Sequence, residues 1–297
     1  MSDKDETVIG VEVEIEGIGK NLARAKKVIL ALNGFGANRE MLKKYIPEMA
    51  EAYYFGHEGN TGEGILWGEA LGAELDNMAA YQSHGSVSYP HGTLVSWAVI
   101  SLGGYAVNLQ GERFGDQNQG YSEQALDVLA QKGGVAVEIF DQRIYDVVQE
   151  YEDFRQGIEM GAIKNFASVE DLAKGFEIPV NVLVQTHEEF QKMASGRIKD
   201  PKGRSGLEQP LGTPLYGVKV TGALFHTQGG VRLNKKAEVV RKDGACISNL
   251  YAGGGTAAGF SGKAGPYGYS SANGLLAALV LGKIAGENAG KSALKIE

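Results

Sequence analysis

The sequence predicts an α/β fold, and three observations carry that expectation. Short apolar runs of strand length, Val28-Ile29-Leu30-Ala31, Val135 to Phe140 and Leu250-Tyr251-Ala252, alternate with stretches whose apolar residues recur at helical spacing. The first and last runs stop at glycine, at Asn33-Gly34 and at Gly253-Gly254-Gly255, where a backbone can approach a ligand closely. Glycine makes up 43 of the 297 residues, about twice its average share. The glycines follow no triplet period, which excludes collagen, and their density suits the tight turns of a cofactor site. A loop-rich protein without a cofactor is the plainer reading of composition alone.

The elements follow in order. Val8 to Ile15 sets Val11, Val13 and Ile15 against Glu12 and Glu14, the alternation of a half-exposed strand. Lys27 to Leu32 predicts a short buried strand. Arg39 to Tyr53 has helical spacing, with Met41, Tyr45, Met49 and Ala50 on one side. Pro47 predicts a break there, because its ring clashes with the preceding turn and it lacks an N–H. Gly62 to Gly72 predicts a helix with Ile65, Leu66, Ala70 and Leu71 as its apolar side. From about Gln82 to Lys219 the pattern is less regular. Ser122 to Gln131, Ser168 to Gly175 and Thr186 to Ser195 read as helices, and Lys199 to Arg204 as a charged exposed loop. Leu215 to Thr221 restores a strand pattern. Ser270 to Glu287 closes the chain as a helix, with Leu275, Leu276, Leu279, Val280 and Ile284 as its buried stripe. There is no internal repeat.

Composition also excludes function classes. A net charge of −7 argues against phosphate-backbone binding, so no nucleic-acid partner is expected. The single cysteine, Cys246, allows no internal disulfide and no cysteine-based metal cluster, so no metal is expected, and it fits a reducing, cytoplasmic compartment. Met1 to Thr7 is charged and no apolar core follows it, unlike a signal peptide. The apolar stretch Gly274 to Ile284 is too short to span a bilayer, and a soluble protein is expected.

Four segments carry chemistry. The strand end Ala31-Leu32-Asn33-Gly34 offers close backbone approach to a flat ligand. In Gly59-Asn60-Thr61-Gly62-Glu63, a helix N-terminus can present N–H groups and the Glu63 carboxylate can accept hydrogen bonds from hydroxyls. An acidic residue favoured by the helix dipole explains Glu63 equally well. Phe225-His226-Thr227-Gln228-Gly229-Gly230 places a histidine at a strand end before a diglycine, although a lone histidine is more often structural. Finally, Leu250 to Gly259 is a strand and glycine turn, followed by a helix N-terminus at Asn273-Gly274-Leu275 where backbone N–H groups can meet an electron-rich ring edge.

In order and spacing, these four segments resemble the fumarate reductase flavoprotein family, which also contains L-aspartate oxidase, urocanate reductase and 3-ketosteroid Δ1-dehydrogenase. The resemblance extends over nearly the whole chain. It implies FAD as cofactor, held in a bipartite, Rossmann-like domain interrupted by an α+β capping domain, with a small-molecule substrate between the two. Residues 1–82 would be the later part of the first FAD-binding segment, 83–219 the capping domain, and 220–297 the second FAD-binding segment. Ala31, with Asn33 and Gly34, matches the flavin-contacting strand end, and Glu63 the acidic FAD ligand. His226 matches the histidine of the His-Thr-x-Gly-Gly motif, Gly254 and Gly255 the glycine turn, and Gly274 and Leu275 the start of the last helix beneath the pyrimidine edge. His84 follows Glu63 at the spacing of the substrate-binding histidine, with glycine after it instead of proline.

The departures from the family are specific. No Gly-x-Gly-x-x-Gly phosphate loop precedes Val28, so the resemblance implies that the N-terminal dinucleotide-binding segment is lacking. The proton-delivering arginine aligns near Tyr121, its acidic partner is Gln117, and the substrate-clamping histidine is Phe225. The carboxylate-binding arginine is replaced around Tyr267 and Tyr269, and the glutamate of the Ala-Gly-Glu flavin motif is Gly255. Losing these cations points away from a dicarboxylate toward a less charged substrate such as an enone. The expected activity is an FAD-dependent oxidoreductase transferring hydride between flavin N5 and an activated C–C bond, with Tyr121 and His84 as catalytic residues. His84, Phe225, Tyr267 and Tyr269 would contact the substrate. The missing segment or an electron-transfer protein would be its partner. The alternative is a truncated or split flavoprotein fragment with no activity of its own.

Overall fold

Gly17 and Gly19, at φ +78° and +87°, turn the chain between the strands Gly10–Ile15 and Gly19–Arg24, which pair antiparallel as a hairpin. The computed structural model describes residues 7–207, 209–262 and 264–294; the charged opening stretch 1–6 lies outside them. The chain forms two compact units, Met1–Gln82 with Leu224–Glu297, and Ser83–Ala223. Both crossings fall inside long strands, Ala79–Ser88 and Leu215–Thr227. Strands and helices mix in both units, as an α/β reading requires.

In the first unit, Glu238–Val240, Cys246–Ala252 and Val28–Leu30 form a three-stranded sheet in that order. The last pair is parallel, with Leu250 opposite Val28 and Ala252 opposite Leu30. Leu30, Val231, Val239, Ile247, Leu250 and Ala252 make its core. The expectation of a buried strand over Val28–Ala31 needs correction. Val28–Leu30 is an edge strand, only Leu30 is buried, and Ile29 is 38% exposed. Pro47 does break the first helix, into Arg39–Tyr45 and a 3₁₀ turn Pro47–Met49. In the next helix, Glu63–Ala70, Ile65 is buried but Leu66 is exposed, against the predicted apolar side.

The closing helix gives the largest correction. It runs from Asn273 through a π-helical stretch, Ala277–Leu281, to Leu294. The predicted stripe faces outward: Leu275 is 71% and Leu279 73% exposed, and Leu276 and Val280 are exposed too. The buried positions are Asn273, Ala277, Leu281, Ala285 and Ala289, spaced four apart. A Cβ on Gly253 would lie 3.2 Å from the Gly282 nitrogen, so the helix backbone sits almost on the glycine turn. At that separation mostly alanine fits, and Ala285 and Ala289 pack against Tyr251.

The second unit is built on antiparallel pairing of Leu215–Thr221 with Val135–Asp141, to which Tyr105–Val107 adds an edge. Every residue of Val135–Asp141 is buried. The first part of Leu215–Thr227 also pairs with Lys164–Phe166. Helices cover this sheet, started by side-chain caps where the chain needs them. Asp141 accepts from the Ile144 N–H and Ser168 from the Asp171 N–H, each satisfying a donor that the first turn leaves open. The helices Gln142–Val148 and Glu152–Glu159 fall where the sequence pattern was irregular, and the helix expected over Thr186–Ser195 begins earlier, spanning Val180–Ala194. Phe190 of this helix stacks on Tyr105 with ring centroids 4.2 Å apart.

The run Lys199–Arg204 is not simply an exposed charged loop. Asp200 turns inward to Arg113 at 2.5 Å, with side chains 1% and 4% exposed. Arg204 donates to the carbonyls of Gly104 and Ile100, and burial pulls its guanidinium down to about 10. The alternation of charges looked solvated in sequence because pairing with distant residues is invisible there.

Candidate active site

The cofactor-facing candidates of the first unit sit on backbone rather than on reaching side chains. The Leu32 carbonyl accepts from the Thr256 hydroxyl at 2.7 Å, and the Leu30 carbonyl from the Gly253 N–H at 3.0 Å, so the turn 253–256 lies across the strand end 30–34. A Cβ on Gly255 would lie 2.4 Å from Asn33 Oδ1 and 2.7 Å from the Gly34 nitrogen. A Cβ on Gly34 would meet the Thr227 hydroxyl at 2.2 Å, and that hydroxyl accepts from the Phe35 N–H. Only glycine permits these approaches. Gly64, beside Glu63, also packs closely, with a Cβ there 2.9 Å from the Thr256 side chain and 3.0 Å from Leu32. Ala31, Leu32 and Asn33 are exposed at this junction, as is Glu63, whose carboxylate accepts from the Thr61 hydroxyl.

Thr227 links this cluster to His226. The His226 Nδ1 lies 3.2 Å from the Thr227 carbonyl, which places a proton on Nδ1, and Nε2 is 3.5 Å from the Tyr269 hydroxyl. Burial lowers the His226 pKa, with the Thr227 bond opposing, so the ring is neutral. A Cβ on Gly274 would stand 3.3 Å from Nε2, which brings the start of the closing helix against the histidine. Asn273 ties that start down: it donates to Gln228 Oε1 and accepts from the Phe260 N–H. Thus Asn33, Gly34, Gly255, His226, Gly274 and Tyr269 form one continuous wall. Leu275 and Tyr267 lie exposed, the latter at 63%. Phe225 stacks on Phe55, with ring centroids 4.7 Å apart at 15°.

In the second unit His84 and Tyr121 come together. Their rings stack at 5.1 Å and 17°, and Trp97 meets both edge-on, at 6.5 and 6.1 Å. Local hydrogen bonds explain the pairing. Ser83 and Ser122, each the chain neighbour of one partner, are joined by several hydrogen bonds, among them Ser83 N–H to Ser122 Oγ at 3.0 Å and Ser83 Oγ to the Ser122 carbonyl at 2.6 Å. Gly85 lets the helix come close, since a Cβ there would sit 3.0 Å from the Gln124 side chain. The Ser86 N–H donates to His84 Nδ1 at 3.1 Å, so the ring proton resides on Nε2. Burial pulls the His84 pKa down to about 3, and the imidazole is neutral.

Sequence reasoning missed Trp97, Phe55, Ser86 and Glu138. Glu138 is fully buried in the sheet and accepts from the Ser86 hydroxyl at 2.5 Å. Burial pushes its carboxyl up to about 8, with the Ser86 bond opposing. A signal existed: Glu138 interrupts the apolar run Val135 to Phe140. Gln117 is buried and bonds both the N–H and the carbonyl of Ala106, finishing the edge strand there.

Known proteins give this geometry its context. A family profile described as FAD binding domain matches residues 1–268. The probable fumarate reductase Ifc3 of Shewanella frigidimarina is 30% identical over 98% of this chain, which covers 48% of that protein. The 3-oxosteroid 1-dehydrogenase of Mycobacterium tuberculosis is 29% identical over 92% of the chain and 56% of its own length. Among solved structures, the open conformation of a flavocytochrome c3 fumarate reductase superposes with a TM-score of 0.79, at 29% identity, over 99% of this chain and 51% of that one. The chain thus spans about half the length of the relatives it matches. FAD is the cofactor these comparisons indicate, and the residues present suit it: the close packing at Gly34 and Gly255 sets the strand end against the glycine turn and leaves Ala31, Leu32 and Asn33 exposed there. By the extent of that match, the chain belongs to the FAD binding domain family.

Proposed function

We propose that this chain supplies the flavin-facing wall and the substrate-handling domain of an FAD-dependent oxidoreductase that acts on an activated C–C bond of a small organic molecule. In this reading, residues 1–82 and 220–297 hold the cofactor, through Ala31, Asn33, Gly34, Glu63, His226, Gly254, Gly255, Gly274 and Leu275. Residues 83–219 form the capping domain that handles substrate. FAD, when bound, supplies hydride exchange at the flavin ring.

The observation that carries the proposal is the stacked His84–Tyr121 pair. His84, neutral and protonated on Nε2, donates a hydrogen bond to a substrate oxygen and polarises the adjoining double bond. Tyr121 delivers the proton to carbon from its hydroxyl in the reducing direction, and its phenolate takes that proton back in the oxidising direction. Phe225, Tyr267 and Tyr269 stand where the dicarboxylate-reducing members of the family place cationic substrate ligands, which favours an uncharged substrate such as an enone. The comparisons include an NADH:acrylate oxidoreductase of Vibrio harveyi as well as fumarate reductases, so substrate charge varies among the relatives. An electron-transfer protein is the expected partner, and the cytoplasm the expected location, from the single cysteine.

Tyr121→Phe in the FAD-loaded protein tests this reading, assayed against a panel of α,β-unsaturated carbonyl compounds. Turnover should fall by about 10²–10⁴-fold, the usual worth of a positioned acid, with flavin absorbance retained. Unchanged turnover removes Tyr121 from the reaction.

A further inference from the structure

We propose that Glu138, acting through Ser86, is the positioning residue that fixes the ring proton of His84 on Nε2; this rests on the reading of His84 as a substrate-binding group. The chain of contacts lies wholly within the second unit. Glu138 Oε1 accepts from Ser86 Oγ at 2.5 Å, and the Ser86 N–H donates to His84 Nδ1 at 3.1 Å. The Ser86 carbonyl in turn accepts from the Val95 N–H at 2.9 Å. Ser86 is thereby held at its side chain, its carbonyl and its N–H. That N–H is spent on an imidazole two residues back, an unusual use for a strand amide, and it decides which nitrogen of His84 carries the proton.

The anchor is costly, which argues that it has a use. Glu138 is fully buried, and its second oxygen, Oε2, has no hydrogen-bond partner. An apolar residue would fill the same strand position without that cost, as Ala136 does two residues earlier on the same face. The neutral form of the acid matters as much as its position. A carboxylate two links from His84 would favour the charged form of the ring over the neutral donor. The neutral carboxyl offers Ser86 an acceptor without adding that charge, and its burial favours this form. The same effect holds His84 neutral, so the two groups are matched.

Nitrogen-15 spectra of the histidine ring nitrogens, recorded on the full chain without added FAD and with His84 assigned through His84→Gln, test the proposal. Wild type should show a single tautomer, protonated at Nε2. Glu138→Gln should leave that pattern unchanged, because the amide keeps an uncharged oxygen for the Ser86 hydroxyl. Glu138→Leu and Ser86→Ala should both lose it, giving ring nitrogens averaged between tautomers. A wild-type ring protonated at Nδ1 overturns the proposal, and so do variants that keep the wild-type pattern. If Glu138→Leu does not fold, Ser86→Ala decides alone, since it removes only the hydroxyl by which Glu138 holds the Ser86 main chain against His84. None of these spectra depends on turnover, so they remain decisive even if the Tyr121 role fails.

Discussion

The two units hold their candidate groups by opposite means. In the first, glycines permit close approach: Gly255 to the Gly34 backbone, Gly34 to the Thr227 hydroxyl and Gly274 to the His226 ring. In the second, buried polar side chains do the holding: Ser83 with Ser122, Ser86 with Glu138, and Arg113 with Asp200. A wall made of glycine is harmed by adding atoms, whereas a scaffold of buried polar pairs is harmed by removing them. That difference orders the expected effects of substitution.

The largest belongs to the second unit. Asp200→Ala leaves the Arg113 guanidinium buried, with its Nε already lacking a partner. Removing one member of such a pair costs about 3–5 kcal/mol, because the remaining charge is uncompensated. Urea unfolding should show that loss. The exposed pair Lys174–Asp171, 3.7 Å apart, is the internal control, and Lys174→Ala should cost only about 0–1 kcal/mol. If the two variants lose the same stability, the second unit does not depend on its buried pairs.

The next effect belongs to the first unit. Gly255→Val puts a Cβ 2.7 Å from the Gly34 nitrogen, a backbone atom that cannot swing away. Overpacking of this kind costs about 1–3 kcal/mol, and flavin retention, read from absorbance after desalting, should fall with it. Gly286→Ala, in the closing helix with nothing within 4 Å of the new Cβ, should instead stabilise the chain by about 0.4–1 kcal/mol. Full flavin retention in Gly255→Val would show that the close approach at Gly255 is unrelated to the cofactor.

This contrast also explains what could be read from sequence. The strand-to-glycine junctions at Asn33-Gly34 and Gly253-Gly254-Gly255 were legible because close approach requires one residue type. His84 and Tyr121 could be singled out but not paired, since the bonds that join them run from Ser83 to Ser122, 39 positions apart. Asp200 and Arg204 read as solvated because their partners, Arg113, Gly104 and Ile100, are about a hundred residues away or slightly less. Glu138 left only an interruption in an apolar run, and its meaning comes from Ser86 on another strand.

The smallest effect concerns the closing helix, where hydrophobic periodicity pointed to the wrong face. Leu279 is 73% exposed, while Ala285, six residues on, is fully buried. Helical spacing treats leucine as the inward residue because it has more apolar surface to hide. Here the near contact of Gly282 with Gly253 fixes the separation first, and small residues take the buried side. Leu279→Ser should therefore change the stability of this chain by no more than about 0.5 kcal/mol. Ala285→Leu, a gain in hydrophobicity, should cost about 1–3 kcal/mol by overpacking against Tyr251. Thermal unfolding of the two variants side by side makes the comparison. A larger loss for Leu279→Ser than for Ala285→Leu would mean that the leucine stripe is the buried face in solution, and that the glycine contact does not set the helix position.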